Sequence, residues 1–138
     1  MLQGPFEALQ DKITVILSKT NKNTKRGKNM QNNNTITKHT LYIGLNDKDT
    51  KTQLINTVEA YKIIYNLLQS VKYEGATISE STGFYTHESG AIVIEKSLRV
   101  EVLFATMDKT ESFINLAKIA LNQESIALQV ENITIFLK

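Results

Sequence analysis

A chain of 138 residues, 41% apolar and 22% charged, is long enough for one domain with its own core. It has no cysteine, which excludes disulfides and thiolate-bound metal, and its net charge of +2 argues against a dedicated nucleic-acid binder. No apolar run reaches the ~20 residues of a membrane span, and Met1–Pro5 lacks a basic leader, so a cytoplasmic protein is expected.

In chain order, Phe6, Leu9, Ile13, Ile16 and Leu17 recur at helical spacing and predict a short amphipathic helix over residues 1–18. Residues 19–38 are basic, rich in asparagine and nearly devoid of apolar side chains. Such a stretch buries too little surface to offset its ordering entropy, so it reads as a flexible basic linker. Within it, Lys25–Asn29 is compatible with purine-rich codons resembling a ribosome-binding site just ahead of Met30. Met30 is therefore a candidate start, with residues 1–29 an upstream extension of the reading frame. The remaining residues, 39–138, read as a single α+β domain.

His39–Leu45 alternates as a strand, with Leu41, Ile43 and Leu45 on one face and Thr40 and Tyr42 on the other. Asp49 or Thr50 can cap a following helix. Leu54, Val58, Tyr61, Ile64, Tyr65 and Leu68 supply its apolar stripe as far as Ser70. Residues 76–87 form a second strand, and His87–Gly90 fits a hairpin turn in which Gly90 takes positive φ. The third strand is the clearest in the chain. Ile92, Ile94, Leu98, Val100, Val102 and Phe104 share one parity; Glu95, Ser97, Arg99 and Glu101 share the other. Asp108 or Thr110 can cap a second helix carrying Phe113, Leu116, Ala117, Ala120 and Leu121. Residues 125–138 close with strand, Ile126, Leu128 and Val130 inward, and Asn132 marks a turn or bulge.

The order β-α-β-β-α-β predicts a ferredoxin-like antiparallel sheet with both helices on one face. The other face then collects Thr40, Tyr42, Glu95, Ser97, Arg99, Glu101, Gln129 and Glu131. Arg99 between carboxylates reads either as an ion-pair ladder that sets register and a subunit interface, or as a bidentate clamp for an anion. Tyr42, Phe84 and Tyr85 are candidates to stack on a planar ligand, or else to pack. Glu95 and Glu101 lie about 20 Å apart along the strand and cannot form one acid–base pair. Glu95 with Glu80 across the hairpin remains open. No HxH, HExxH, Walker A, GxSxG or GxGxxG pattern occurs. No catalytic residue, metal ligand or cofactor is therefore assigned. The loop Gly44–Lys48 sits near a helix N-terminus, where anions are favoured.

Leu41–Leu45, Gly83, Gly90, Glu95–Arg99 and Leu121–Ile126 resemble a family of small bacterial and phage proteins of PII-like, ferredoxin-like build. That resemblance covers residues 39–130. It implies an oligomer that binds nucleotides between subunits, and small phage proteins of this build include sponges that sequester nucleotide immune signals. The hairpin loop His87–Gly90 is much shorter than the long PII loop. The expected function is accordingly a non-enzymatic homo-oligomer, assembled through the sheet face, that binds a small anionic, nucleotide-derived ligand at a subunit interface. Arg99 would clamp the anion, Tyr42 and Tyr85 would stack, Glu95 would orient polar groups, and Glu101 and Gln129 would complete the row. The alternative is a protein-interaction module, such as a phage inhibitor of a host enzyme. A small hydrolase-type enzyme using Glu95 or His87 as base has the least support.

Overall fold

The computed structural model describes residues 35–138. The helix expected over residues 1–18, the rest of the basic stretch up to residue 34 and the candidate start at Met30 lie outside the described residues. The elements are β1 (Thr35–Gly44), α1 (Thr57–Ser70), β2 (Thr77–Thr86), β3 (Ile92–Val102), α2 (Met107–Ala120) and β4 (Ala127–Thr134). They form a 4-stranded sheet in the order β2-β3-β1-β4, with every neighbouring pair antiparallel. This is the ferredoxin-like α+β architecture that the element order predicts. One face of β1 and β3 supplies Leu41, Ile43, Leu98, Val100 and Val102. They share one core cluster with Ile64 and Leu67 of α1 and Phe113 and Leu116 of α2. The register explains the pairing, because Leu41 opposes Val100 and Ile43 opposes Leu98.

Several local expectations change. β1 begins at Thr35, four residues inside the stretch read as linker. Thr35–Thr37 are β-branched and pair with β4 at Asn132–Thr134, which gives their backbone groups partners that composition alone does not reveal. β4 runs straight through Asn132, whose Oδ1 accepts from Thr37 Oγ1 at 3.2 Å, so no turn forms there. α1 is capped by Asn56, whose side chain accepts from Glu59 N–H at 2.8 Å. Asp49 and Thr50 instead belong to a tight loop closed by the Asn46–Gln53 bridge. Within it the Asp47 carboxylate accepts from Asp49 N–H at 2.9 Å and Thr50 N–H at 3.0 Å. A side-chain acceptor so close in sequence competes with the helix for these donors.

The stripe expected of α1 also divides. Ile64 and Leu68 are buried with Ala60 and Leu67, whereas Leu54, Val58, Tyr61 and Tyr65 stay exposed. Ile92 and Ile94 of β3 are 67% and 70% exposed, so this end of the hairpin is left uncovered by the helices. Phe104 leaves the strand at φ 57° and is exposed as well. The hairpin turn itself forms as expected. His87 N–H bonds to Ala91 O and Gly90 N–H to His87 O, each at 2.8 Å, with Gly90 at φ 90°. Thr110 was a candidate cap of α2, but Thr106 holds that position and Thr110 is buried.

Candidate ligand-binding groove

On the open face, pairing places Tyr42 opposite Arg99, Thr40 opposite Glu101, and Thr40 opposite Gln129 on the other side. Glu101 takes up the Arg99 guanidinium at 2.5 Å, and Lys38 Nζ approaches the same carboxylate at 3.7 Å. Tyr42 Oη donates to Gln129 Oε1 at 3.3 Å. Arg99 Nε is buried without a hydrogen-bond partner. This cluster is the ion-pair ladder that the sequence offers as one reading of Arg99. An arginine already held by a carboxylate must exchange that partner before it can clamp an anion.

The loop end of the sheet is different. A groove of about 510 Å³ opens among the β1–α1 loop, the β2–β3 hairpin and the α2–β4 connection. Tyr42, Tyr85 and Glu95 line it, together with Lys48, Lys51 and His87. Arg99, Glu101 and Gln129 do not. Of the six candidate site residues, the structure thus brings three into one groove, leaves Arg99 and Glu101 in the ladder, and bonds Gln129 to Tyr42. Glu80 pairs with Leu98 and shares its parity, so it lies on the helix side of the sheet and cannot pair with Glu95.

Glu95 owes its place to its neighbours. It opposes Gly83 on β2, which contributes no side chain to the groove. Its carboxylate leans across Gly44 of β1 and accepts from Asn46 N–H at 2.9 Å. The loop carrying that N–H is braced from the α2–β4 connection. Gln123 Nε2 donates to Asn46 O at 2.7 Å, and Asn122 Nδ2 donates to Asp47 Oδ1 at 2.8 Å and Asp49 Oδ2 at 2.9 Å. The Asn122 amide, with the Thr50 N–H behind it, holds the Asp47 carboxyl below its ordinary 3.8. Lys51 sits in the same loop at φ 63°. His87 accepts from Ser89 N–H through Nδ1 at 3.3 Å, a contact internal to the hairpin turn.

The sequence marks the Gly44–Lys48 loop only as a place where anions are favoured, and it gives no groove role to Lys51, Gly83 or Gln123. Gly83 was visible as a glycine inside a strand, which often marks a close approach. Gln123 carried no signal, because its bond to Asn46 O joins the α2–β4 connection to a loop 77 residues away in sequence. Among the described residues no group of three or more His, Asp or Glu side chains gathers to hold a metal.

No family model matches the chain, and no curated protein matches it. Solved structures do match. A phage SAM lyase in complex with S-methyl-5'-thioadenosine aligns over 80% of this chain and 97% of its own, at 17% identity and TM-score 0.51. The periplasmic divalent cation tolerance protein CutA from Archaeoglobus fulgidus aligns over 73% and 88%, at 18% identity and TM-score 0.51. A Bacillus cereus protein related to NIF3 aligns over 75% of this chain and 27% of its own, at 15% identity and TM-score 0.50. The fold is shared. At such identities the likeness establishes the architecture, and the chemistry rests on the groove. No helix among the described residues is long and apolar enough to cross a membrane.

Proposed function

We propose that the groove takes an adenosyl sulfonium of the S-adenosylmethionine type and cleaves it. The observation that carries this reading is the convergence of Tyr42, Tyr85 and Glu95 on one groove of about 510 Å³ beside Lys48 and Lys51. That volume suits a nucleoside-sized molecule. Aromatic faces attract both an adenine ring and a sulfonium cation. Glu95 complements the ligand's ammonium, and the lysines complement its carboxylate. This charge set fits a zwitterion better than the small anion expected from the sequence, because a carboxylate faces the groove while Arg99 is engaged by Glu101.

The chemistry asks little of the protein. A sulfonium is its own leaving group. When the bond from sulfur to the γ carbon breaks, its electron pair returns to sulfur and S-methyl-5'-thioadenosine departs. The substrate's own carboxylate can form the new C–O bond to that carbon, closing a lactone. Positioning and electrostatics then supply the catalysis, in keeping with the lack of a recognisable nucleophile–base motif in the sequence. The phage SAM lyase of the same fold, found with S-methyl-5'-thioadenosine, supports this choice of ligand. A second copy seated on the open face would close the groove and make the protein a homo-oligomer with its ligand at the interface. Depleting such a ligand would suit a small phage protein acting against host defence.

Incubation with S-adenosylmethionine, with chromatography of the products and calorimetry of binding, tests this. Release of S-methyl-5'-thioadenosine is expected. Glu95→Gln and Tyr85→Ala should each lower kcat/KM by about tenfold or more, equivalent to at least ~1.4 kcal/mol. Arg99→Ala should stay within about threefold of the parent. Binding without product would make the protein a sequestering one. Neither binding nor product would overturn the assignment.

A further inference from the structure

We infer that Gly44 is a positioning residue, kept free of a side chain so that the Glu95 carboxylate can lie over the β1 backbone. The inference deepens the sulfonium reading and rests on it for its kinetic part. Gly44 is the last residue of β1 and pairs with Ser97. Its φ is not positive, so no turn requires glycine here. Space is the requirement. A Cβ at Gly44 would meet Glu95 Oε2 at 2.5 Å, Cδ at 2.7 Å and Oε1 at 2.8 Å. All three atoms belong to one carboxylate, and that carboxylate also accepts the Asn46 N–H at 2.9 Å. The empty position and the hydrogen-bond donor are two residues apart in one chain segment, and together they form a seat for a single charged group.

The seat has a consequence for the ligand. A glutamate on an exposed strand samples several rotamers and spends much of its time in water. Here the backbone donor and the bare glycine surface hold the carboxylate toward Tyr42 and the β1–α1 loop. A fixed anion costs no reorganisation when it meets an ammonium or sulfonium group. Any side chain at residue 44 would turn Glu95 away without disturbing the ladder, since the atoms displaced are the far end of a flexible side chain.

Gly44→Ala tests the inference, beside Glu95→Ala and the double variant. Gly44→Ala should fold with a melting temperature close to the parent. Hydrogen exchange of the Asn46 amide should accelerate in both single variants, because each removes its acceptor. With S-adenosylmethionine, Gly44→Ala should lose about tenfold in kcat/KM, and adding it to Glu95→Ala should cost nothing more. A residue that mattered only to the strand would give losses that multiply, and this outcome would overturn the inference, as would an unchanged exchange rate at Asn46. If the parent protein neither binds nor cleaves the sulfonium, the ligand reading fails, and Asn46 exchange still decides whether Gly44 seats Glu95.

Discussion

His39 is 1% exposed, with Nδ1 2.7 Å from Thr110 Oγ1, which is in turn 2.6 Å from Tyr73 Oη. Tyr73 Oη donates to Thr106 O at 2.9 Å and accepts from Thr106 N–H at 3.1 Å, tying the start of α2 to the segment after α1. Burial pushes the His39 pKa below its ordinary 6.5. The unfolded chain therefore binds a proton that the folded one resists. The stability linked to His39 is complete above about pH 6.5 and is lost as pH falls from there toward the depressed folded value. Melting temperatures should drop between about pH 7.5 and pH 5, and His39→Asn should flatten that drop. Asp47 acts in a lower window. Its contribution is present above the ordinary 3.8 and disappears only as pH falls below that. Thr110→Val leaves His39 and Tyr73 short of a partner and should cost about 1–3 kcal/mol in chemical denaturation. None of this network is visible in the sequence, where His39 looks like one more residue at the start of a strand.

Helix α1 shows what periodicity can and cannot say. Its apolar residues fall on two adjoining stripes, and spacing of three and four joins them into one. Only packing separates Ile64 and Leu67, both fully buried, from Val58 and Tyr61, which are 65% and 45% exposed. Leu67→Ala should destabilise by about 2–5 kcal/mol. Val58→Ala should stay within about 0.5 kcal/mol, as surface substitutions do. Denaturation midpoints of the two variants check this; equal losses would mean that a partner covers the outer stripe. In α2 the sequence reading was closer. Phe113, Leu116 and Ala117 are all buried, while Met107 and Ile119, which the expected stripe leaves out, are exposed. In β3 the alternation holds from Ile92 to Val102 but not on to Phe104, and Ile92 and Ile94 lack the helix that would cover them. Alternation reports which way a side chain points, and burial needs something opposite.

At the scale of the whole molecule, register decides which residues work together. Pairing of β1 with β3 sets Tyr42 beside Arg99, and pairing of β2 with β3 sets the bare Gly83 beside Glu95. The polar ladder of Lys38, Arg99 and Glu101 is then available to a second copy in the assembly proposed above. Arg99→Glu would place two carboxylates side by side in that ladder and should lower the mass measured by light scattering. A mass unaffected by this reversal would remove the sheet face as the interface. The sequence by itself determined the order of elements and the two faces of β3. Those follow from periods of 2 and 3.6 residues, which are local properties of the chain. Tertiary structure alone decided that Glu95 joins Tyr42 and Tyr85 while Arg99 does not. That division depends on strand register, on two glycines without side chains and on a loop braced by Asn122 and Gln123. All of these join residues far apart in sequence, so no local pattern can report them.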